Sequence, residues 1–458
     1  MASCILKSYK LKLRPFQVFE ALSKKERCFF LDSSLRGRYS FLGIEPYLVL
    51  ETKGQNPFGA LRRNLEQYKN TSAKGAPPFL GGAVGYLAYD LGFILEDKLK
   101  NRQPKPGPGI PDCAFGFYNK VVIIDHLKSL LYIACSGAPE KGGHLSGVLA
   151  RENLRRVENI IKGIGSCFAP CQKTKHIPGS GSFESNFTKN EYINAIKRSK
   201  EYIRQGDIYQ VNLSQRFETK SNLPGVEIYR RLRNGSPACF NAYLSGGDFE
   251  ILSSSPERFL ALEGRKAITQ PMKGTRPRGK DKKQDSVLKN ELKNSAKDKA
   301  ELMMIVDLER NDLGKVCSYE SIKVTNLREI ETYSTVFQTT ATIEGELFVD
   351  KDRVDLLQAC FPGGSITGCP KIRAMEIIDE LEPDRRSIYT GALGYLSFSG
   401  EMDFNILIRT ILKKNNAVYF GAGGGIVADS SPEEEYKETL VKAQGMLSAL
   451  GIGCPREG

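Results

Sequence analysis

Lys273 stands in the segment Gln270-Pro-Met-Lys-Gly-Thr-Arg-Pro-Arg278. A lysine amine attacks carbon only when its surroundings remove its proton, through desolvation or a neighbouring cation. Here it follows a strand-like run, Lys266 to Gln270, and precedes Gly274, where the backbone can turn tightly. Upstream come Ser253-Ser-Ser-Pro-Glu-Arg258, a strand-like Phe259-Leu-Ala-Leu262 and then Glu263, Gly264 and Arg265, a pattern that predicts a hairpin. Glu257 and Lys273 are symmetric about Arg265. Antiparallel pairing about that point predicts their Cβ atoms about 5 Å apart on one side. A carboxyl group beside an amine offers a general acid and a nucleophile together. The competing reading is a surface lysine in a basic loop, because Arg276, Arg278, Lys280, Lys282 and Lys283 follow at once.

Carboxylates recur on two predicted helices. Glu301 lies on one that begins near Ser295, and Glu435, Glu438 and Lys442 share a face of the last one. Magnesium is commonly held by one or two carboxylates with water and an anionic ligand, so Glu301 and Glu438 could hold it if their helices converge. Solvated ion pairs are the alternative. Pro362-Gly-Gly-Ser-Ile-Thr-Gly-Cys-Pro-Lys371 leads into a helix, whose free N-terminal amides attract anions, with Thr367 adding a hydroxyl and Lys371 a charge. A loop that only needs its glycines fits the same residues. Phe420-Gly-Ala-Gly-Gly-Gly-Ile426 permits close approach of backbone to a ligand. It lacks the ending of a P-loop and the helix and later acid of a dinucleotide fingerprint. Arg409, on the preceding predicted strand, could pair with a carboxylate from the same side.

The composition, 458 residues with 40% hydrophobic and 26% charged, fits two or three average domains or one large intertwined one. No apolar run approaches the ~20 residues of a membrane span, and no secretory signal is expected. Eleven cysteines without zinc-ligand spacing predict reduced thiols in a cytoplasmic protein. Three histidines, none beyond His176, argue against imidazole-based hydrolysis or a histidine-held metal in the C-terminal half. The formal charge of +13 suits nucleic acid, an acidic partner or a small polyanion. No helix-turn-helix, RNA-recognition or zinc-finger pattern accompanies it, so no nucleic acid is expected.

Residues 1–162 are expected to form an N-terminal domain, 163–182 a linker rich in Gly, Cys, Lys, Pro and Ser, and 183–450 the domain carrying the candidate site. A capping box, Thr188-Lys-Asn-Glu191, opens a helix to about Gln205. The strand that follows puts Gln210, Asn212 and Ser214 on one face. Helices are predicted over Arg151–Lys162, Ser295–Leu313, Asp352–Cys360, Pro370–Leu381 and Pro432–Leu450. Strands are predicted over Cys28–Leu31, Phe115–Ile124, Leu130–Cys135, Thr335–Leu347, Gly391–Phe398, Asp403–Leu412 and Ala417–Ala422. Mixed, often hairpin-like connections favour α+β over a doubly wound sheet.

Several segments together resemble the motifs of the chorismate-binding enzymes. They are Ile208-Tyr-Gln-Val-Asn-Leu-Ser214, Ser254-Ser-Pro-Glu-Arg258, Pro271-Met-Lys-Gly-Thr-Arg-Pro277, Ile305-Val-Asp-Leu-Glu-Arg-Asn-Asp-Leu-Gly314, the Pro362–Lys371 loop, Tyr389-Thr-Gly391 and Gly421-Ala-Gly-Gly-Gly-Ile-Val-Ala-Asp-Ser430. They run in family order over residues 185–445, and Gly37–Gly43 and Gly81–Tyr86 resemble the family's first domain. The resemblance implies a large intertwined two-subdomain α+β fold, with mixed, mainly antiparallel sheets and flanking helices. Within the family, anthranilate-forming large subunits carry alanine where Lys273 stands, and aminodeoxychorismate-forming ones carry lysine. Isochorismate and salicylate synthases place a water-activating lysine where this chain has Gln210.

Lys273 with Gln210 therefore implies amination of chorismate at C4 through a Lys273 adduct at C2, with Glu257 protonating the departing hydroxyl. Anthranilate formation is the near alternative and a basic nucleic-acid-binding protein the distant one. The resemblance further implies Mg²⁺ at the ring carboxylate, held by Glu301 and Glu438 and supported by Glu435. Arg409 and Tyr389 are implied at the enolpyruvyl carboxylate, with Thr367, Lys442 and the backbone near Gly423 lining the pocket. Gln338 stands where the family usually has a histidine facing C4. Glutamine hydrogen-bonds but cannot take up a proton or charge at neutral pH, so acid assistance at C4 rests more heavily on Glu257. The chain has no Gly-x-Cys-x-Gly nucleophile elbow. A separate glutamine amidotransferase subunit is thus implied as ammonia source, with a separate lyase downstream.

Overall fold

The computed structural model describes residues 4–33, 37–70, 75–99, 105–164, 182–333 and 336–453. It is an α+β protein built on two large sheets whose strand pairings are antiparallel. Both sheets draw strands from both ends of the chain. In the first, Phe29–Asp32 pairs with Phe240–Ser245, which joins the early strands to Phe249–Ser255, Thr410–Lys414, Ala417–Ile426 and Gln210–Lys220. In the second, Gly82–Leu87 pairs with Ala392–Ser397, and the sheet continues through Met402–Ile406, Arg258–Glu263, Lys266–Gln270, Val336–Glu346 and Met272–Pro277.

Alternation along each strand divides the core. Val121 and Ile123 join Tyr86, Phe249 and Tyr395 in a cluster drawn from both sheets, so the sheets pack face to face there. Val122 and Ile124 point the other way, against Phe19, Tyr229 and Met446 of the helices that cover the first sheet. Phe115, Leu260 and Ile343 of the second sheet bury against Leu61, Leu302, Val306 and Ile378 of another helical layer. The helices that carry the candidate site belong to these outer layers, with their apolar faces fixed to a sheet and their polar ends free to line a cavity.

Two predicted strands divide. Phe115–Ile124 becomes Cys113–Tyr118 and Lys120–Asp125, and Asp403–Leu412 becomes Met402–Ile406 and Thr410–Lys414, in each case with the two pieces in different sheets. The apolar run Ile406-Leu-Ile408 continues the strand pattern across the second corner, while at the first only Asn119 and Lys120 interrupt it. At the second corner Arg409 adopts a left-handed backbone, φ +52°. The Thr188 cap forms as predicted, with Glu191 N–H donating to Thr188 Oγ1 at 3.3 Å and Thr188 N–H to Glu191 Oε2 at 2.7 Å. The helix expected from Arg151 begins earlier and spans Gly143–Ile164. Most of the expected linker, residues 165–181, lies outside the described residues. Among the described residues no helix is long and apolar enough to cross a membrane.

Candidate active site

A cavity of about 700 Å³ collects residues from both sheets and two helices. Gly421 to Gly425 and Asn212 come from the first sheet, Lys273 and Gln338 from the second. Helix Ala296–Gly314 contributes Glu301, and helix Pro432–Leu450 contributes Glu435, Glu438 and Lys442. Glu257, Ser365, Tyr389 and Arg409 complete the walls from loops and strand ends. The volume suits a small organic ligand.

Glu257 and Lys273 do meet in this cavity, but by a different route from the one the hairpin predicts. The turn is two residues long, Gly264 and Arg265, with Glu263 opposite Lys266 and Ala261 opposite Ile268. A bulge then sets Arg258 opposite Gln270, so Lys273 is not the partner of Glu257. Lys273 instead lies on a new strand, Met272–Pro277, and pairs with Thr339. Contact is made one residue earlier, where Met272 N–H donates to the Glu257 carboxyl, which also bonds the Ser365 hydroxyl. Two-residue turns match strand twist better than odd loops, which moves the symmetry axis off Arg265.

Burial governs the electrostatics. Glu257 is buried, and desolvation pushes its carboxyl up to about 7 against the pull of Ser365, Lys273 and Met272. Burial also lowers Lys273, helped by the Lys442 charge and opposed by Glu301, Glu257 and Glu438. A carboxyl that holds its proton more tightly than usual and an amine that gives its proton up more easily thus face one space. Close approach depends on glycine. A Cβ on Gly425 would lie 3.1 Å from Lys273 Nζ and 3.0 Å from Gln210 Nε2, and one on Gly424 would lie 3.0 Å from Glu435 Oε2.

The helix carboxylates face the cavity beside cations. Glu438 Oε1 lies 2.6 Å from Lys442 Nζ, and Glu301 Oε1 lies 3.9 Å from Lys297 Nζ. Burial works to raise Glu438, but Lys442, Lys273 and Lys297 hold it below the usual carboxylate value. Glu435 is raised, by burial and by Glu438, although Ser430 Oγ donates to it at 2.6 Å. Among the described residues no three His, Cys, Asp or Glu side chains converge to enclose a metal by themselves. Glu301 and Glu438 line the cavity from two different helices, and magnesium is commonly held by one or two carboxylates with water and an anionic ligand.

Arg409 is half-buried and donates to the Lys442 carbonyl at 3.0 Å. Tyr389 packs its ring on Gly421, where a Cβ would come within 2.4 Å. Gly423 offers its carbonyl to Lys442 at 2.8 Å. Gln338 Nε2 reaches Thr275 Oγ1 at 3.4 Å, while its buried Oε1 has no hydrogen-bond partner among the described residues. Thr367 is not in the wall: its hydroxyl turns back to Gly363 and Gly364 at 3.0 and 3.2 Å, and Ser365 and Ile366 face the cavity instead. Lys371 likewise points away, bonding Asp312 and the Cys360 and Pro362 carbonyls. Its charge is spent on fixing the loop to a helix. Sequence reading passed over Asn212 and Ser365 as site residues; the shared face of Gln210, Asn212 and Ser214 was the available signal for the first.

The basic segment after Lys273 is partly neutralised within the chain. Arg276 pairs with Asp298 at 3.1 Å and Arg278 with Asp285 at 2.6 Å. A separate cavity of about 500 Å³, lined by Arg38, Tyr39, Phe240 and Met402 among others, contains none of the predicted site residues.

Comparison with known proteins agrees with this geometry. The family described as chorismate binding enzyme matches residues 26–448. An anthranilate synthase component 1 of Acetivibrio thermocellus is 37% identical over 95% of this chain and 92% of its own length. An aminodeoxychorismate synthase component 1 of Bacillus subtilis is 35% identical over 95% of this chain and 94% of its own. Among solved structures, anthranilate synthase component I of Streptococcus pneumoniae superposes with a TM-score of 0.79 at 29% identity, covering 91% of this chain and 93% of that one. The menaquinone-specific isochorismate synthase of Escherichia coli shares the fold, with a TM-score of 0.75 at 19% identity over 98% and 95% of the two chains. The chain belongs to the chorismate-binding enzyme family.

Proposed function

We propose that the chain is the large component of an aminodeoxychorismate synthase, which aminates chorismate at C4 and keeps the enolpyruvyl group. The observation that carries this reading is a desolvated amine, Lys273, sharing a cavity with the buried carboxyl of Glu257. In the first step Lys273 Nζ bonds to ring C2, the ring double bonds shift and the C4–O bond breaks. Glu257 gives its proton to that oxygen, which leaves as water. Ammonia then bonds to C4, the double bonds shift back and the C2–Nζ bond breaks. The new C4 ammonium returns a proton to Glu257. Two displacements replace one difficult one.

The other residues bind and orient. Arg409 and Tyr389 hold the enolpyruvyl carboxylate, Lys442 and the Gly423 backbone shape the pocket, and Gln338 meets the C4 side. Mg²⁺ at Glu301 and Glu438, backed by Glu435, would supply a Lewis-acid grip on the ring carboxylate. Ammonia comes from a separate glutamine amidotransferase subunit, so the purified chain runs on ammonium salts and not on glutamine. A separate lyase then releases pyruvate from the product to give para-aminobenzoate.

Anthranilate synthesis is the second reading, favoured by the relative of that name at 37% identity. The deciding experiment supplies chorismate, Mg²⁺ and ammonium, with and without an added aminodeoxychorismate lyase. This account expects para-aminobenzoate only when the lyase is present. Fluorescent anthranilate and pyruvate from the chain alone would establish the rival.

A further inference from the structure

Glu382 and Arg386 lie behind the cavity without lining it, and are only 4% and 6% exposed. All five N–H donors of the guanidinium are used. Nε reaches Glu382 Oε2 at 2.8 Å; Nη1 reaches the Ile366 carbonyl at 3.0 Å and Thr390 Oγ1 at 3.3 Å. Nη2 reaches the Asn212 carbonyl and Glu382 Oε1, each at 2.6 Å. Glu382 Oε1 also accepts Ser214 N–H at 2.8 Å and Ser214 Oγ–H at 2.9 Å. The guanidinium carbon sits 4.6 Å from the centroid of the Tyr89 ring.

One ion pair therefore ties together the strand bearing Asn212, the turn bearing Ser365 and Ile366, and the loop bearing Tyr389 and Thr390. Asn212, Ser365, Ile366 and Tyr389 all line the cavity. Thr390, held by Nη1, has a left-handed backbone, φ +60°, next to Tyr389. Buried ion pairs are often replaceable by apolar residues without loss of stability, so stability alone does not account for this one. We propose that the Glu382–Arg386 pair is the positioning unit of the site, setting the Asn212, Ile366 and Tyr389 walls at the spacing that chorismate needs. The inference rests on the functional reading only in taking Tyr389 as a chorismate contact.

The test is chorismate affinity, measured by calorimetry with Mg²⁺ present and ammonia absent. The proteins are Arg386→Lys, Tyr389→Phe and the double variant, with thermal melting recorded in parallel. Lysine keeps the charge and loses the fork. Arg386→Lys should weaken binding about tenfold and Tyr389→Phe about fivefold, and the double variant should match Arg386→Lys within about twofold. Multiplicative losses, or unchanged affinity in either single variant, overturn the proposal. If Arg386→Lys fails to fold, Thr390→Val, which removes one contact of the clamp, takes its place in the same cycle. It should cost about threefold without multiplying the Tyr389→Phe loss, and unchanged affinity again overturns the proposal. A wild-type chain that binds chorismate but makes anthranilate would refute the functional reading and leave this inference standing.

Discussion

Oε1 of Glu438 lies 2.6 Å from Nζ of Lys442, one turn further along the last helix, and that amine also donates to the Gly423 carbonyl at 2.8 Å. An internal cation therefore occupies one of the two carboxylates assigned to Mg²⁺. Replacing Lys442 with methionine removes the competitor and makes Glu438 more basic. Mg²⁺ titrated without chorismate should bind about threefold tighter to Lys442→Met, while the chorismate KM rises about tenfold. Mg²⁺ affinity that does not rise in the variant would count against Glu438 as a ligand.

The Glu257 carboxyl, raised by burial to about 7, acts as an acid only while protonated. Its contribution is present at lower pH and is lost as pH rises through that value. Burial lowers Lys273, which acts only when deprotonated, so its contribution grows as pH rises. A profile of kcat/KM for chorismate, corrected for free ammonia, should be bell-shaped with one limb near pH 7. Glu257→Gln should lower kcat about 100-fold and abolish that limb. A limb that persists in the variant would assign the acid to another group.

Gly425 brings backbone close to the Lys273 amine. An alanine Cβ there would stand 3.1 Å from Lys273 Nζ and 3.0 Å from Gln210 Nε2. Both neighbours are side-chain ends that can shift, so the fold should survive while the amine moves. Gly425→Ala is expected to lower kcat about tenfold, with melting within about 3 °C of the parent. Equal loss of stability and activity would reduce the position to a packing role.

Much of this site was legible before any coordinates, and the reasons are local. Glu435, Glu438 and Lys442 share a face because helical spacing fixes it, and the Thr188 cap follows from two side chains reaching backbone a single turn away. What failed depended on things a linear pattern does not encode. The Glu257–Lys273 encounter survived although its register was misplaced, because a bulge at Arg258 and a new strand from Met272 brought Lys273 round by another path. The corner at Leu407 to Arg409 was hard to see because the apolar run Ile406-Leu-Ile408 carries the strand pattern across it. Lys371 and Thr367 looked like anion ligands but serve their own loop, and only the carbonyls around them show it.

The central claim is a covalent bond between Lys273 and the ring of chorismate. It is tested most directly by mixing the protein with chorismate and Mg²⁺ while withholding ammonia, quenching with acid and mapping peptides by mass spectrometry. The account predicts that the Lys273 peptide gains the mass of chorismate less one water, and that ammonium added before the quench removes it. An unmodified Lys273 peptide, from protein that still makes aminodeoxychorismate at full rate once ammonium is supplied, would contradict it.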